Sequence, residues 1–147
     1  MEKERGSGII FYTKKPKRVL LLLRDRQHQD IGKILPYPGM LDIPGGHAEP
    51  NETPQKCIVR EIAEEWIDLR TGQPFQLKNF NFFRYFEHRN TAQWHFCKEM
   101  DFDLTDVDYN EGTALALINE EAAMRTEIAW GCTELLRDFF KSRFMQD

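Results

Sequence analysis

The stretch that decides the reading runs from Leu41 to Leu69: LDIPGGHAEPNETPQKCIVREIAEEWIDL. Thr53 is a good helix N-cap and Pro54 suits the first helical position, so a helix is predicted to start there. Ile58, Ile62 and Trp66, with Val59 and Ala63, form its apolar face at helical spacing. Glu61, Glu64, Glu65 and Asp68 lie within eight residues on another face. At about 100° per residue, Glu64 falls near −60° from Glu61, Glu65 near +40° and Asp68 near −20°. Carboxylates placed side by side on a helix cost about 0.2–0.5 kcal/mol per pair. An acidic run of this kind is ordinarily a solvated face. Solvated faces, however, usually mix signs to gain i,i+4 pairs. These charges also occupy the second half of the helix, where the macrodipole disfavours anions. A divalent cation turns both penalties into an attraction, and hard oxygen ligands suit Mg²⁺ or Mn²⁺. Gly45-Gly46 upstream permits close backbone approach and could aim a carbonyl at the same cation; it is equally explained as a tight turn after Pro44.

Outward from this segment, Gly8–Thr13 and Arg18–Asp25 read as strands joined by a turn at Lys14–Lys17. The second strand is apolar on both faces, as in a central strand. Arg26–Pro38 reads as a polar loop, and Met40–Ile43 as a short strand stopped by Pro44-Gly45-Gly46. Phe80–Phe86 and Ala92–Met100 alternate as an aromatic hairpin around EHRNT. Thr113–Ile118 is a further strand, and Asn119 caps a short helix over Glu120–Arg125. A last helix carries Cys132, Leu135, Leu136, Phe139 and Phe140 on one face. This order predicts an α/β (α+β) chain, a mixed central sheet flanked by helices in a layered sandwich.

The bulk properties narrow the classes. The 147 residues suit one domain spanning 1–147, able to bury roughly 70% of its unfolded surface. Hydrophobic residues make up 41% and charged residues 30%, within the soluble globular range. A net charge of −4 gives no general attraction to a nucleic acid polymer or an anionic membrane. The three cysteines, Cys57, Cys97 and Cys132, have no ligand or disulfide spacing, which points to reduced core thiols and a cytoplasmic setting. The opening MEKERGSG has no apolar run behind it, so no signal peptide is expected. The longest aliphatic run, Val19–Leu23, is far too short to span a bilayer.

The spacing Gly46, Glu52, Arg60-Glu61-Ile62-Ala63-Glu64-Glu65 resembles the Nudix box, G-x5-E-x7-R-E-U-x-E-E-x-G-U with U apolar. Seven of its nine specified positions match across the 23 residues Gly46–Asp68. The resemblance implies a Nudix-like α/β/α sandwich, similar to MutT. It also implies a metal-dependent pyrophosphohydrolase that cleaves the diphosphate linkage of a nucleoside diphosphate linked to X by water attack on phosphorus. The other reading is a non-hydrolytic Nudix-fold module that senses a nucleotide. By position, Glu61, Glu64 and Glu65 with the Gly45 carbonyl would hold Mg²⁺, with Mn²⁺ as a substitute. Arg60 would orient Glu61, though it pairs as readily with Glu64 at i+4, and Glu52 would brace the loop. In parts of the family the general base comes from a later loop, which makes Glu111 the candidate; the plainer reading is an exposed loop glutamate.

On the substrate side, Arg24 and Arg26 either hold phosphate or are solvated strand-end charges. Gly46 lies beside the site, and Arg84 alternates with Phe82 and Phe86 and so either faces a cleft or lies on the surface. Tyr85 falls in the region where diadenosine-polyphosphate-cleaving members carry a tyrosine. The expected partner is a small nucleotide; a homodimer is compatible with the resemblance but has no signal in the sequence. The match breaks at its end, where Ile67 replaces the helix-ending Gly and Asp68 the last apolar residue. A β-branched Ile in the left-handed conformation costs about 1–2 kcal/mol or more. The helix is therefore predicted to continue through Asp68–Leu69–Arg70, with Gly72 as its C′ residue.

Overall fold

The computed structural model describes residues 3–23, 40–109 and 114–146. Strand β1 (Glu4–Lys14) turns at Lys15-Pro16 into β2 (Lys17–Leu23), with Lys14 opposite Lys17. Strand β3 (Leu41–Asp42) pairs with the far end of β2. The glycine pair does more than stop β3. Gly45–His47 forms its own strand, β4, antiparallel to β1, with Gly8 opposite Gly45 and Ser7 opposite Gly46. The backbones come so close that a Cβ on Gly45 would lie 2.0 Å from the Ser7 carbonyl oxygen.

Helix α1 (Pro54–Glu65) starts where the sequence places it, and the Thr53 hydroxyl accepts from the Lys56 N–H at 3.2 Å. Its end does not follow the expectation. Trp66 is already extended at φ −118°, ψ 135°, and Trp66–Asp68 forms strand β5. Ile67 is thus neither helical nor left-handed, and Asp68 leaves the arc of the three glutamates. The cause is tertiary pairing, which suits aromatic Trp66 and β-branched Ile67. β5 pairs antiparallel with β6 (Gln73–Pro74) and with β9 (Val107–Tyr109). Gly72 does take positive φ, +74°, but it closes the β5–β6 turn rather than a helix, donating to the Asp68 carbonyl at 2.7 Å. This small sheet has no counterpart in the sequence reading.

The aromatic hairpin is β7 (Asn81–His88) and β8 (Thr91–Glu99), with a register irregularity between Phe82 and Arg84. Strand β10 (Leu115–Ile118) pairs with β2, and Asn119 caps α2 (Glu120–Met124) by accepting from the Ala122 N–H at 2.9 Å. The last helix is α3 (Thr133–Phe140). The main sheet runs β10-β2-β1-β8-β7, mixed because β1 and β8 are parallel.

Alternation along β1 splits the core in two. Ile9 and Phe11 pack with Leu20, Ile58, Ile62, Trp66 and Phe96 under α1. Ile10 and Tyr12 pack with Val19, Leu21, Leu135 and Phe139 under α3. Helices on both faces of one mixed sheet give the expected sandwich. Cys57, Cys97 and Cys132 are all buried free thiols. Among the described residues, no helix is long and apolar enough to cross a membrane.

Candidate active site

The site is built where α1, β4 and the start of β1 converge. Arg60 is its hub. Its Nε and Nη2 donate to the two oxygens of Glu52 at 2.7 and 2.9 Å, a bidentate fork. Its Nη1 donates to Glu61 at 2.9 Å and to Glu64 at 3.2 Å, and Nη2 also reaches the His47 carbonyl at 2.9 Å. Both sequence alternatives for Arg60 are therefore realised, with unequal weight. The Glu64 side chain is 56% exposed, so water screens that pair, whereas those of Glu52 and Glu61 are 12% and 13% exposed. Glu52 also accepts from the Glu49 N–H at 3.0 Å. The Arg60 bonds, then the Glu49 N–H, hold the Glu52 carboxyl down to about 2. Glu52, followed by Glu61, pushes the Arg60 guanidinium still higher than its ordinary value.

Gly46 has no room for a side chain. A Cβ there would sit 2.3 Å from the Glu61 carboxyl carbon. Strand β4 and the helix carboxylate thus share one space, which a hydrogen atom leaves open. Three contacts fix the frame. Arg5 donates to the Glu52 carbonyl at 2.8 Å, Ser7 Oγ to the Pro54 carbonyl at 2.8 Å, and Cys57 Sγ lies 3.6 Å from the Gly46 carbonyl oxygen. Beyond them, the Tyr109 hydroxyl donates to Glu65 at 3.4 Å.

Within the described residues, no three His, Cys, Asp or Glu side chains converge as a metal-holding group. The side chains of Glu61, Glu64 and Glu65 nevertheless offer only carboxylate oxygen, a donor chemistry that suits a hard divalent cation in kind. Among the described residues, the Arg60 guanidinium is shared by three carboxylates, those of Glu52, Glu61 and Glu64.

Of the substrate-side candidates, Tyr85 and Arg84 lie on opposite faces of the sheet. Tyr85 lies on the α1 side of the sheet, its ring 4.9 Å from that of Trp94 and its hydroxyl donating to Glu87 at 2.5 Å. Arg84 belongs to the opposite face, ion-paired with Asp138 of α3 and 5.0 Å over the Phe83 ring. The structure therefore does not bring Arg84 to the carboxylates. Arg24, Arg26 and Glu111 lie outside the described residues. Sequence reading missed Arg5, Ser7 and Tyr109. Ser7 alone left a signal, a polar residue at an inward position of β1, and it is 1% exposed.

The NUDIX domain family model matches residues 2–130, and the chain belongs to the Nudix family as a Nudix hydrolase. Similar solved structures share the fold at low identity. The NUDIX domain of Shewanella oneidensis NrtR complexed with ADP ribose superposes with a TM-score of 0.70 at 11% identity, covering 96% of this chain and 88% of that one. A MutT from a study of Aliivibrio salmonicida and Vibrio cholerae gives 0.67 at 13%, covering 95% and 98%. The MutT protein of Methanosarcina mazei Go1 gives 0.64 at 17%, covering 95% and 94%. No protein of curated function matches the chain.

Proposed function

We propose that the chain hydrolyses the diphosphate bridge of a small nucleotide, a nucleoside diphosphate linked to X, with Mg²⁺ as the natural cation and Mn²⁺ as a substitute. The observation that carries the reading is the Arg60 hub. It joins Glu52 and Glu61, while the missing side chain of Gly46 lets the Glu61 carboxyl lie against β4. Glu61, Glu64, Glu65 and the Gly45 carbonyl would hold the cation. When bound, it neutralises diphosphate charge and lowers the pKa of a bound water.

The protein's own residues do the rest. The Glu52–Arg60 fork fixes the Glu61 carboxylate against β4. Arg5 and Ser7 tie the loop and helix start to β1, so the carboxylates and the glycines keep a constant separation. Attack by water on phosphorus releases a proton, and Glu111 is the candidate carboxylate to accept it. Arg24 and Arg26 are candidates for the phosphates and Tyr85 for the base.

The test is a substrate panel in Mg²⁺: nucleoside triphosphates, dinucleoside polyphosphates, nucleotide sugars and ADP-ribose, the ligand held by the similar NrtR domain. Release of a nucleoside monophosphate from one member is expected. Glu65→Gln should cut that turnover by orders of magnitude with the fold intact. No product from any member favours the non-hydrolytic sensing module, and near-normal turnover in the variant overturns the metal assignment.

A further inference from the structure

We propose that Tyr109 is a positioning residue for Glu65, holding its carboxylate ready for the cation by a hydrogen bond from the phenol; this rests on the metal-dependent reading above. The hydroxyl stands 3.4 Å from Glu65 Oε2, and the tyrosine ring packs edge-on against buried Trp66, centroids 6.2 Å apart at 88°. Both contacts follow from one topological fact. The chain becomes extended at Trp66, immediately after Glu65, and Trp66 pairs directly with Tyr109 across β5 and β9. A helix that ran on would have no such ladder.

The ladder is pinned. Ile67 lies between Asp108 and Pro74 in the three-stranded sheet, and the Leu69 N–H donates to the Asp106 carbonyl at 2.8 Å. Asp68, the other departure from the box, is held at both oxygens by Arg70, at 3.0 and 3.1 Å. The two residues that break the motif therefore build the strand that aims Tyr109. A glutamate side chain has three torsions to fix before it can ligate. A hydroxyl donor on one carboxylate oxygen restrains them. Partners that orient metal ligands in this way typically account for about 10–100-fold in affinity or activity.

Tyr109→Phe keeps the ring on Trp66 and removes only the hydroxyl. The assay is Mn²⁺ binding without substrate, followed by the free-Mn²⁺ electron paramagnetic resonance signal, alongside the thermal midpoint. The variant should melt with the wild type and bind Mn²⁺ about tenfold more weakly. In a Glu65→Ala background the same substitution should cost much less Mn²⁺ affinity, because the Glu65 acceptor is gone. If Tyr109→Phe lowers the midpoint instead, this second comparison still decides, since a packing loss persists without Glu65. Unchanged Mn²⁺ affinity in Tyr109→Phe, or an equal loss with and without Glu65, overturns the positioning role while the proposed function stands. A wild-type protein that binds no Mn²⁺ overturns both.

Discussion

Glu52 shows how one residue joins stability to the site. Its carboxyl titrates near 4.5 when unfolded and is held to about 2 in the native state by Arg60 and the Glu49 N–H. A depressed carboxylate contributes stability that is complete above its unfolded value and is lost as pH falls through its folded value. The difference in melting temperature between wild type and Glu52→Gln should therefore be largest near neutrality and narrow between about pH 4.5 and pH 2. Thermal scans across that range check it, and a constant difference would rule out the ion pair as the source. Gly46 belongs to the same scale. Its missing side chain is what lets Glu61 lie against β4.

Among the elements, the join between α1 and β5 is the least conventional. Comparison with the box alone would suggest that Ile67→Gly repairs a defect. The ladder predicts the reverse, because Ile67 sits in a strand between Pro74 and Asp108 and never takes positive φ. Glycine there loses β propensity and adds backbone entropy to the unfolded chain. The substitution should destabilise the protein by about 1–2 kcal/mol, measured by urea unfolding. A gain in stability would mean that the helix-to-strand join is strained rather than favoured.

At the scale of the molecule, the carboxylates are gathered by a fold whose core lies elsewhere, under α1 and under α3 on the two faces of the sheet. A ligand that binds only the native arrangement stabilises the whole chain by mass action. At about a hundred times its dissociation constant, Mg²⁺ or Mn²⁺ should contribute about 2.7 kcal/mol. For a chain of this size that raises the thermal midpoint by about 5–10 °C. Monovalent salt at equal ionic strength is the control. A midpoint indifferent to divalent ions would remove the cation from the reading. His95 is a second whole-molecule feature. It is 2% exposed beneath Gly8, and burial pushes its imidazole down to about 4, so the core carries it neutral.

Much of this was legible in the chain. The start of α1, the central strands, the aromatic hairpin, the Asn119 cap and the apolar face of α3 follow from periodicity and capping, which are local. So does the placing of Glu61, Glu64, Glu65 and Arg60 on one helix, because spacing along a helix determines direction. Tertiary structure alone decided the rest. The end of α1 depends on β9, some forty residues away, whose hydrogen bonds compete successfully with another helical turn. The choice of Glu52 as Arg60's main partner depends on a loop folding back over β4. The approach of Tyr109 to Glu65 depends on strand register, which no window of sequence around either residue encodes. Local pattern determines which side chains share a face; only long-range pairing determines what that face meets.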